Sequence, residues 1–160
     1  VDPRPIMFGG TGSQSFNLDM PEFYPDRLEC GTVNYPAIVS LAEGVLYLKS
    51  HFNEERDKLR HLTSELHVQL SKLPFVKLYS RPNSVGIAAF SLDGTDSEQA
   101  AYRLSEEFSV CVRGGLHCAP LMHEALGTTD CGLIRASLSP FNSEREIELF
   151  LTAVEAVGKG

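Results

Sequence analysis

The chain has 160 residues, which suits one ordinary domain or one domain with part of another. Hydrophobic residues make up 42% of it, so it can bury a core and is not expected to be disordered. Its net charge is -7, with no basic cluster and no apolar run of membrane-spanning length, which disfavours a nucleic-acid partner, an anionic membrane surface and a transmembrane protein.

Residues 1–34 are predicted to be irregular. Four prolines and the glycine-rich stretch GGTGS at residues 9–13 interrupt them, and only residues 6–8 have the apolar character of a short strand. A segment of this length without its own helices or strands is unusual inside a compact domain. We therefore expect residues 1–34 to pack on another domain, on a partner subunit or on both.

Two consecutive helices are predicted from residue 35 onwards. In the first, Ile38, Leu41 and Val45 recur at helical spacing, and Pro36 suits a first helical turn. The second, over residues 54–73, carries an amphipathic stripe and ends before Pro74. The stripe consists of Leu59, Leu62, Leu66, Leu70 and Leu73.

Strands and helices mix in the rest of the chain. Strands are predicted over residues 75–80, 85–92, 109–113 and 133–138, and helices over 96–108, 121–126 and from Ser143 onwards. The segment 85–92 is apolar on both faces, as a central strand is, and Ser143 and Glu146 form a capping-box pattern. The order predicts an α+β fold, with a small, mainly antiparallel sheet covered by helices on one face.

The predicted strand parity directs two arginines away from the core. Val110 and Val112 share one face of their strand, whereas Arg113 lies on the other, and Arg135 holds the equivalent place in the strand 133–138. Two arginines near a glycine-rich turn in an acidic chain suit a carboxylate or phosphate clamp. The alternative is that each arginine pairs with a surface carboxylate.

The densest group of reactive side chains is RGGLHCAP at residues 113–120. The glycine pair allows a sharp turn, so His117 and Cys118 are predicted to lie in a loop. A loop thiol beside Arg and His can act as a nucleophile, and an inert, half-buried thiol is the alternative. Cys30, Cys111 and Cys131 have no such neighbours and are interpreted as structural, reduced cysteines of a cytoplasmic protein.

Two further kinds of site are considered. The spacing of His117, Cys118, His123 and Cys131 does not match a closed zinc site, so no metal is predicted. The stretches GGTGS at residues 9–13 and ECGTVN at residues 29–34 can each hold an anion, and the second stands directly before a helix. A plain flexible loop remains the alternative for both.

Four motifs in this order resemble the C-terminal part of the fold-type I, class V aminotransferase family, and specifically its cysteine desulfurase and selenocysteine lyase branch. They are GGTGS at residues 9–13, ECGTVN at 29–34, RGGLHCAP at 113–120, and IRAS at 134–137 followed by FNS at 141–143. The third is the most specific. The short loop around Cys118 is similar to that of the type II group.

The resemblance implies an enzyme that uses pyridoxal phosphate (PLP) to convert L-cysteine, or selenocysteine, to L-alanine. It assigns the persulfide-forming nucleophile to Cys118 and the grip on the substrate carboxylate to Arg135. It assigns Arg113 and His117 to the border of the substrate site. A protein that accepts the sulfur is a further partner in such a reaction.

The resemblance also implies how the cofactor is held. It assigns Thr32 to the cofactor phosphate across a homodimer interface, with Gly10, Thr11 and Gly12 in the same segment. None of the five lysines stands in the family's Ser-x-His context for the Schiff-base lysine. We therefore expect residues 1–34 to end a large PLP-binding domain that the chain lacks, residues 35–160 to form a linker helix and the small domain, and the chain alone to be inactive.

Two alternatives stay open. In the first, the parent protein is another class V aminotransferase or PLP lyase in which Cys118 is incidental. In the second, the chain is a non-catalytic α+β module with a reactive thiol.

Overall fold

A computed structural model describes residues 2–160 of the chain. In chain order the elements are α1 (Tyr35–Leu70), β1 (Val76–Leu78), β2 (Ile87–Leu92), α2 (Ser97–Phe108), α3 (Pro120–Leu126), β3 (Ile134–Ser137) and α4 (Glu144–Lys159). Internal contacts divide the chain into a first unit that ends at Ser50 and a second unit, His51–Gly160. None of the helices in the described part of the chain is both long and apolar enough to cross a membrane.

The first unit is irregular until α1 begins. Residues 2–34 contain neither helix nor strand, as predicted, but the short strand at residues 6–8 is wrong because these residues form a bend with exposed side chains. The boundary that the sequence predicted between residues 34 and 35 coincides with the start of α1 at Tyr35. The assignment of residues 1–34 and 35–160 to two domains stays a prediction.

A single helix replaces the two that were predicted after residue 35. Residues 47–53 contain neither proline nor glycine, and the hydroxyl of Ser50 donates a hydrogen bond to the Leu46 carbonyl one turn earlier. Nothing in this segment therefore interrupts the helical hydrogen bonds. Four of the five leucines in the predicted stripe, Leu59, Leu62, Leu66 and Leu70, are buried in α1. The helix ends at Leu70, so Leu73 lies beyond it and packs on the core partly buried.

The second unit is built on a three-stranded antiparallel sheet in the order β1-β2-β3. Leu92 of β2 pairs with Val76 of β1, and Phe90 pairs with Ile134 of β3. This arrangement confirms the predicted antiparallel sheet and its central strand. Strand β2 alternates between buried and half-buried residues, so neither of its faces is fully exposed to solvent.

Helices cover the buried face of the sheet. Ala88 and Phe90 of β2 are fully buried in one apolar cluster with residues of α1, α2 and α4. The helical members are Leu62, Leu66, Leu70, Ala100, Leu104, Ile147, Ala153, Val154 and Val157. Fully burying one leucine or isoleucine side chain contributes roughly 1.5–3 kcal/mol. Phe108 was expected to point inward but remains 37% exposed at the end of α2.

Residues 109–113 do not form the predicted strand. Ser109 has a left-handed φ of 56° and caps α2: its N–H donates to the Ser105 carbonyl, and the N–H of Val110 donates to the Leu104 carbonyl. Only Arg113 then joins the sheet, through a single bridge to Arg135. The predicted parity is nevertheless correct, because Val110 and Val112 pack on the core while Arg113 is exposed.

Side-chain caps set the starts of two helices. Asp96 accepts hydrogen bonds from the N–H groups of Glu98 and Gln99 at the first turn of α2. Ser143 and Glu146 form the predicted capping box of α4, with both reciprocal hydrogen bonds present. The cap of α2 matters for the site because a glycine turn packs against this helix end.

Replacing Asp96 by alanine is expected to lower the free energy of unfolding by about 1 kcal/mol, because two N–H groups lose their acceptor. Urea denaturation measures the loss. Asp96→Asn is the matched control, since the amide oxygen can accept the same hydrogen bonds. Equal losses in the two variants would contradict the capping role.

Candidate functional site

Cys118 lies in a tight turn that follows the glycine pair. The N–H of Ala119 donates to the carbonyl of Leu116 over 2.9 Å, which closes the turn around His117 and Cys118. These two residues have φ values of 54° and 59°. Non-glycine residues in the left-handed region cost roughly 1–3 kcal/mol each, so the turn is strained and needs support from its surroundings. The Cys118 side chain is exposed, as predicted for a loop thiol.

The glycine pair packs on the N-terminal end of α2. A side chain at Gly114 would collide with the Ser97 backbone, and Gly115 has a φ of 89°. The buried Ser97 hydroxyl accepts a hydrogen bond from the Gly115 N–H over 3.0 Å and donates to the Cys131 carbonyl over 2.6 Å. The glycine pair therefore permits the predicted sharp turn and also a close approach to α2, whereas the role of Ser97 was not predicted.

Arg113 and Arg135 face one another across the bridge. Each N–H donates to the other's carbonyl, over 3.1 and 2.8 Å. In an antiparallel pair of this kind the two side chains project to the same side, with Cα atoms about 5.5 Å apart. Like charges that lie directly opposite one another are unfavourable. The arrangement therefore favours an anion between or beside the two guanidinium groups.

The two arginines also have no protein counterion in the part of the chain that the structure describes. Within residues 2–160, neither Arg113 nor Arg135 forms an ion pair with a carboxylate. The Nε atom of Arg135 is buried without a hydrogen-bond partner. A buried, unsatisfied donor is costly, so a ligand that accepts from this atom would be stabilised. Pairing with surface carboxylates, the alternative from the sequence, is not observed in this part of the chain.

Arg113 also contacts the predicted nucleophile. Its Nη2 atom lies 3.4 Å from the Cys118 Sγ. A guanidinium donor forms a charge-assisted hydrogen bond when the sulfur is a thiolate. Arg113, Cys118, His117 and Arg135 therefore belong to one neighbourhood of the second unit, as the predicted site requires.

The geometry of His117 defines its tautomer. Its Nε2 lies 3.0 Å from the Arg113 carbonyl, which can only accept, so Nε2 carries the proton. Burial lowers the pKa of His117 below its ordinary value of 6.5, and the positive charges of Arg135 and Arg113 add to this shift. The hydrogen bond to the Arg113 carbonyl opposes the shift in part. His117 is therefore neutral at neutral pH, with Nδ1 as an acceptor.

The two candidate anion-binding stretches meet in the first unit. The N–H of Gly31 donates to the Gly10 carbonyl over 2.8 Å, which joins GGTGS to ECGTVN. Thr32 is exposed directly after this contact. Gly12 and Thr11 belong to the same segment, and side-chain atoms added at Gly10 or Gly12 would meet open space. The assignment of these residues to a cofactor stays a prediction.

His123 and Thr128 belong to the neighbourhood of Cys118, although the sequence did not assign them a role there. Both are buried, and the His123 Nδ1 lies 2.9 Å from the Thr128 Oγ1. The His123 ring packs edge-to-face on His117, with 5.8 Å between the ring centroids. From the sequence, His123 was considered only as a candidate metal ligand, because no local sequence pattern predicts a ring contact between two side chains. All four cysteines are free, as expected.

The sequence and structure comparisons with known proteins agree with one another. The family model for Aminotransferase class-V matches residues 2–150. A probable cysteine desulfurase of Methanothermobacter thermautotrophicus is 31% identical over 160 residues, which cover 96% of this chain and 40% of that protein. The solved apo structure of a cysteine desulfurase from Thermococcus onnurineus NA1 has a TM-score of 0.76 and 29% identity, covering 98% of this chain and 40% of that chain.

The cysteine desulfurase CsdA of Escherichia coli, solved with an S-sulfonic acid, has a TM-score of 0.78 and covers 98% of this chain and 39% of that chain. At 23% identity this likeness shows the fold alone. The chain spans about 40% of the length of the curated relative from Methanothermobacter.

Acidification is expected to destabilise the folded chain partly through His117. Its pKa is lowered by folding, so the unfolded state binds the proton more readily, and the free energy of unfolding falls as the pH drops below about 6.5. Thermal melting at several pH values above and below that point measures the fall. The variant His117→Gln is expected to show a smaller pH dependence than the parent. An unchanged slope in His117→Gln would refute the assignment.

Proposed function

Because the chain belongs to the class V aminotransferase family, we propose that it forms the C-terminal part of a PLP-dependent cysteine desulfurase. The enzyme converts L-cysteine to L-alanine and leaves a persulfide on Cys118. One observation carries this proposal: an exposed thiol lies on a strained turn, 3.4 Å from Arg113, and the buried Nε of the neighbouring Arg135 has no hydrogen-bond partner in residues 2–160. A family member that only transfers amino groups has no use for a thiol in this place.

Arg135 holds the substrate carboxylate in this proposal. Its buried Nε lacks an acceptor, and a planar guanidinium binds a carboxylate through two parallel hydrogen bonds. A carboxylate placed there would also reduce the repulsion between Arg135 and Arg113. An amino-acid substrate would thus be oriented by its backbone carboxylate, which leaves its side chain to reach the Cys118 turn.

Cys118 accepts the sulfur. Its Sγ forms a bond to the substrate sulfur while the bond between that sulfur and the substrate Cβ breaks, and the electron pair stays on carbon. The carbon takes a proton and becomes the methyl group of alanine, so the balance is Cys118 thiol plus L-cysteine to Cys118 persulfide plus L-alanine. Arg113 donates to the Cys118 sulfur, and His117 borders the site in its neutral form.

The residues present fit PLP as a partner in this chemistry. The cofactor, when bound, supplies an electron sink next to the substrate carbon. Across the homodimer interface, Thr32 and the segment Gly10, Thr11 and Gly12 of one subunit would offer hydroxyls and backbone N–H groups to the phosphate of the cofactor held by the other subunit. The Schiff-base lysine belongs to a part of the enzyme outside residues 1–160, and for this reason the chain alone is inactive.

The enzyme is a cytoplasmic homodimer in this proposal, and a sulfur-acceptor protein receives the persulfide sulfur. Support for a covering partner comes from the first unit, where apolar side chains are strongly exposed. They include Ile6, Phe8, Phe16, Leu18, Leu41 and Val45. Apolar surface of this extent is characteristic of an interface with another domain or subunit.

Replacing Cys118 by alanine in the full-length enzyme, supplied with PLP and L-cysteine, is expected to reduce alanine and sulfide formation by roughly three orders of magnitude or more, the scale of losses on removing a nucleophile. Chromatography of alanine and a colorimetric sulfide assay measure the reaction. Cys111→Ala and Cys131→Ala are the controls and keep their turnover. Full turnover in Cys118→Ala, or a keto acid as the product, would refute the proposed function.

Replacing Arg135 by glutamine is expected to lower kcat/KM for L-cysteine by roughly 10- to 150-fold, mainly through KM, because hydrogen bonds to a charged group contribute about 1.5–3 kcal/mol. The fold should persist, since the change removes one of two positive charges that lie opposite each other. Arg145→Gln, at an exposed arginine paired with Glu148 on α4, is the control and keeps its KM. An unchanged KM in Arg135→Gln would contradict the carboxylate assignment.

A further inference from the structure

We propose that His123 and Thr128 act as a positioning pair that holds the Cys118 turn in its reactive shape through the ring of His117. The inference rests on the proposed function in one respect, namely that Cys118 is the nucleophile. The two residues touch neither substrate nor Cys118 in this proposal. Their effect on the thiol passes through His117 and through the backbone of the turn.

The turn needs such support. Its two central residues, His117 and Cys118, both have positive φ values, and a single backbone hydrogen bond from Ala119 to Leu116 closes it. Left to itself, a loop of this kind would populate other backbone conformations. Since the thiol must lie within reach of both Arg113 and the substrate, the left-handed conformation has to be maintained from outside the turn.

The ring of His117 is fixed at two points. Its Nε2 donates to the Arg113 carbonyl over 3.0 Å, and its ring forms a T-shaped pair with the His123 ring at an interplanar angle of 72°. Edge-to-face packing is a preferred arrangement of neighbouring rings. His117 therefore spans the turn from Arg113, at the sheet bridge, to His123 on α3. Movement of either support would tilt the residue that immediately precedes Cys118.

His123 is itself anchored from both directions. The Thr128 side chain, which is 1% exposed, binds the His123 Nδ1 over 2.9 Å, and the Thr128 N–H donates to the His123 carbonyl over 2.9 Å. The N–H of His123 donates to the carbonyl of Ala119 over 3.2 Å, at the exit of the turn. A buried polar pair costs free energy unless it is satisfied, and here its hydrogen bonds connect the end of α3 to the residue after Cys118.

The reactivity of the Cys118 thiol tests this proposal without turnover. Iodoacetamide alkylation of each cysteine is followed by peptide mass spectrometry at several pH values, in the 160-residue chain and in the full-length enzyme. Thr128→Val removes the hydroxyl at almost constant volume, and Thr128→Ser keeps it. The Cys118 alkylation rate is expected to fall about 10-fold or more in Thr128→Val, since small displacements of a reacting group have effects of this size. Thr128→Ser restores the rate.

The exposed Cys111, which lies before the turn and outside α3, is the internal control, and its rate is expected to stay within about twofold, as for a residue far from the substitution. A merely structural role of Thr128 would alter the Cys111 and Cys118 rates together or neither of them. An equal or faster Cys118 rate in Thr128→Val, or a Thr128→Ser variant that reacts as slowly as Thr128→Val, would overturn the proposal.

His123→Phe provides a second variant in case Thr128→Val fails to fold. It keeps a ring against His117 but loses the Nδ1 anchor, so Cys118 alkylation is again expected to slow, and parent-like alkylation would overturn the proposal. In the full-length enzyme, both variants should lower kcat with little change in KM, because Arg135 is untouched. Alkylation requires neither PLP nor L-cysteine, so it decides the positioning role even if the desulfurase assay of Cys118→Ala refutes the proposed function.

Discussion

The candidate site depends on one backbone bridge that brings two positive charges together. Arg113 and Arg135 exchange hydrogen bonds across the edge of the sheet, and this pairing projects their side chains to the same side. Without a carboxylate from residues 2–160 to neutralise them, the pair is unfavourable in the free chain and favourable with an anion bound. Relief of the repulsion between the two arginines therefore contributes to the free energy of anion binding.

Other elements of the second unit hold this bridge, and the turn that follows it, in position. The Asp96 cap starts α2 at a definite residue, and the Ser97 hydroxyl then ties the glycine pair to that helix end. Gly114 allows the close approach that a side chain would prevent. The strained turn around Cys118 is thereby attached to rigid elements on both sides, which suits a nucleophile that must keep a defined position.

The comparisons and the geometry contribute different information. Family membership follows from the match over residues 2–150, and the fold is shared with solved cysteine desulfurases over almost the whole chain. The chemistry proposed for the site rests instead on particular atoms: the Arg113 Nη2 near the Cys118 Sγ, and the unsatisfied Nε of Arg135. His123 and Thr128 add a feature that follows from the structure alone.

The sequence by itself determined the features that arise from neighbouring residues. The leucine stripe of α1, the capping box of α4, the central strand and the alternation of Val110, Val112 and Arg113 depend on local periodicity and local hydrogen bonds, and all are present. Local patterns also predicted a reactive thiol within residues 113–120. The errors arose where local signals were too weak to decide, as in the continuity of α1 and in the segment 109–112, which Ser109 turns away from the sheet ladder.

Only the tertiary structure decided which distant groups meet. The Ser97 hydroxyl reaches Gly115 and Cys131 across 18 and 34 positions of sequence, and the Arg113–Arg135 bridge joins residues from two separate segments. His123 meets His117 through a turn whose left-handed backbone is uncommon for residues other than glycine. Such contacts depend on the packing of whole elements, so residue type and spacing cannot specify them.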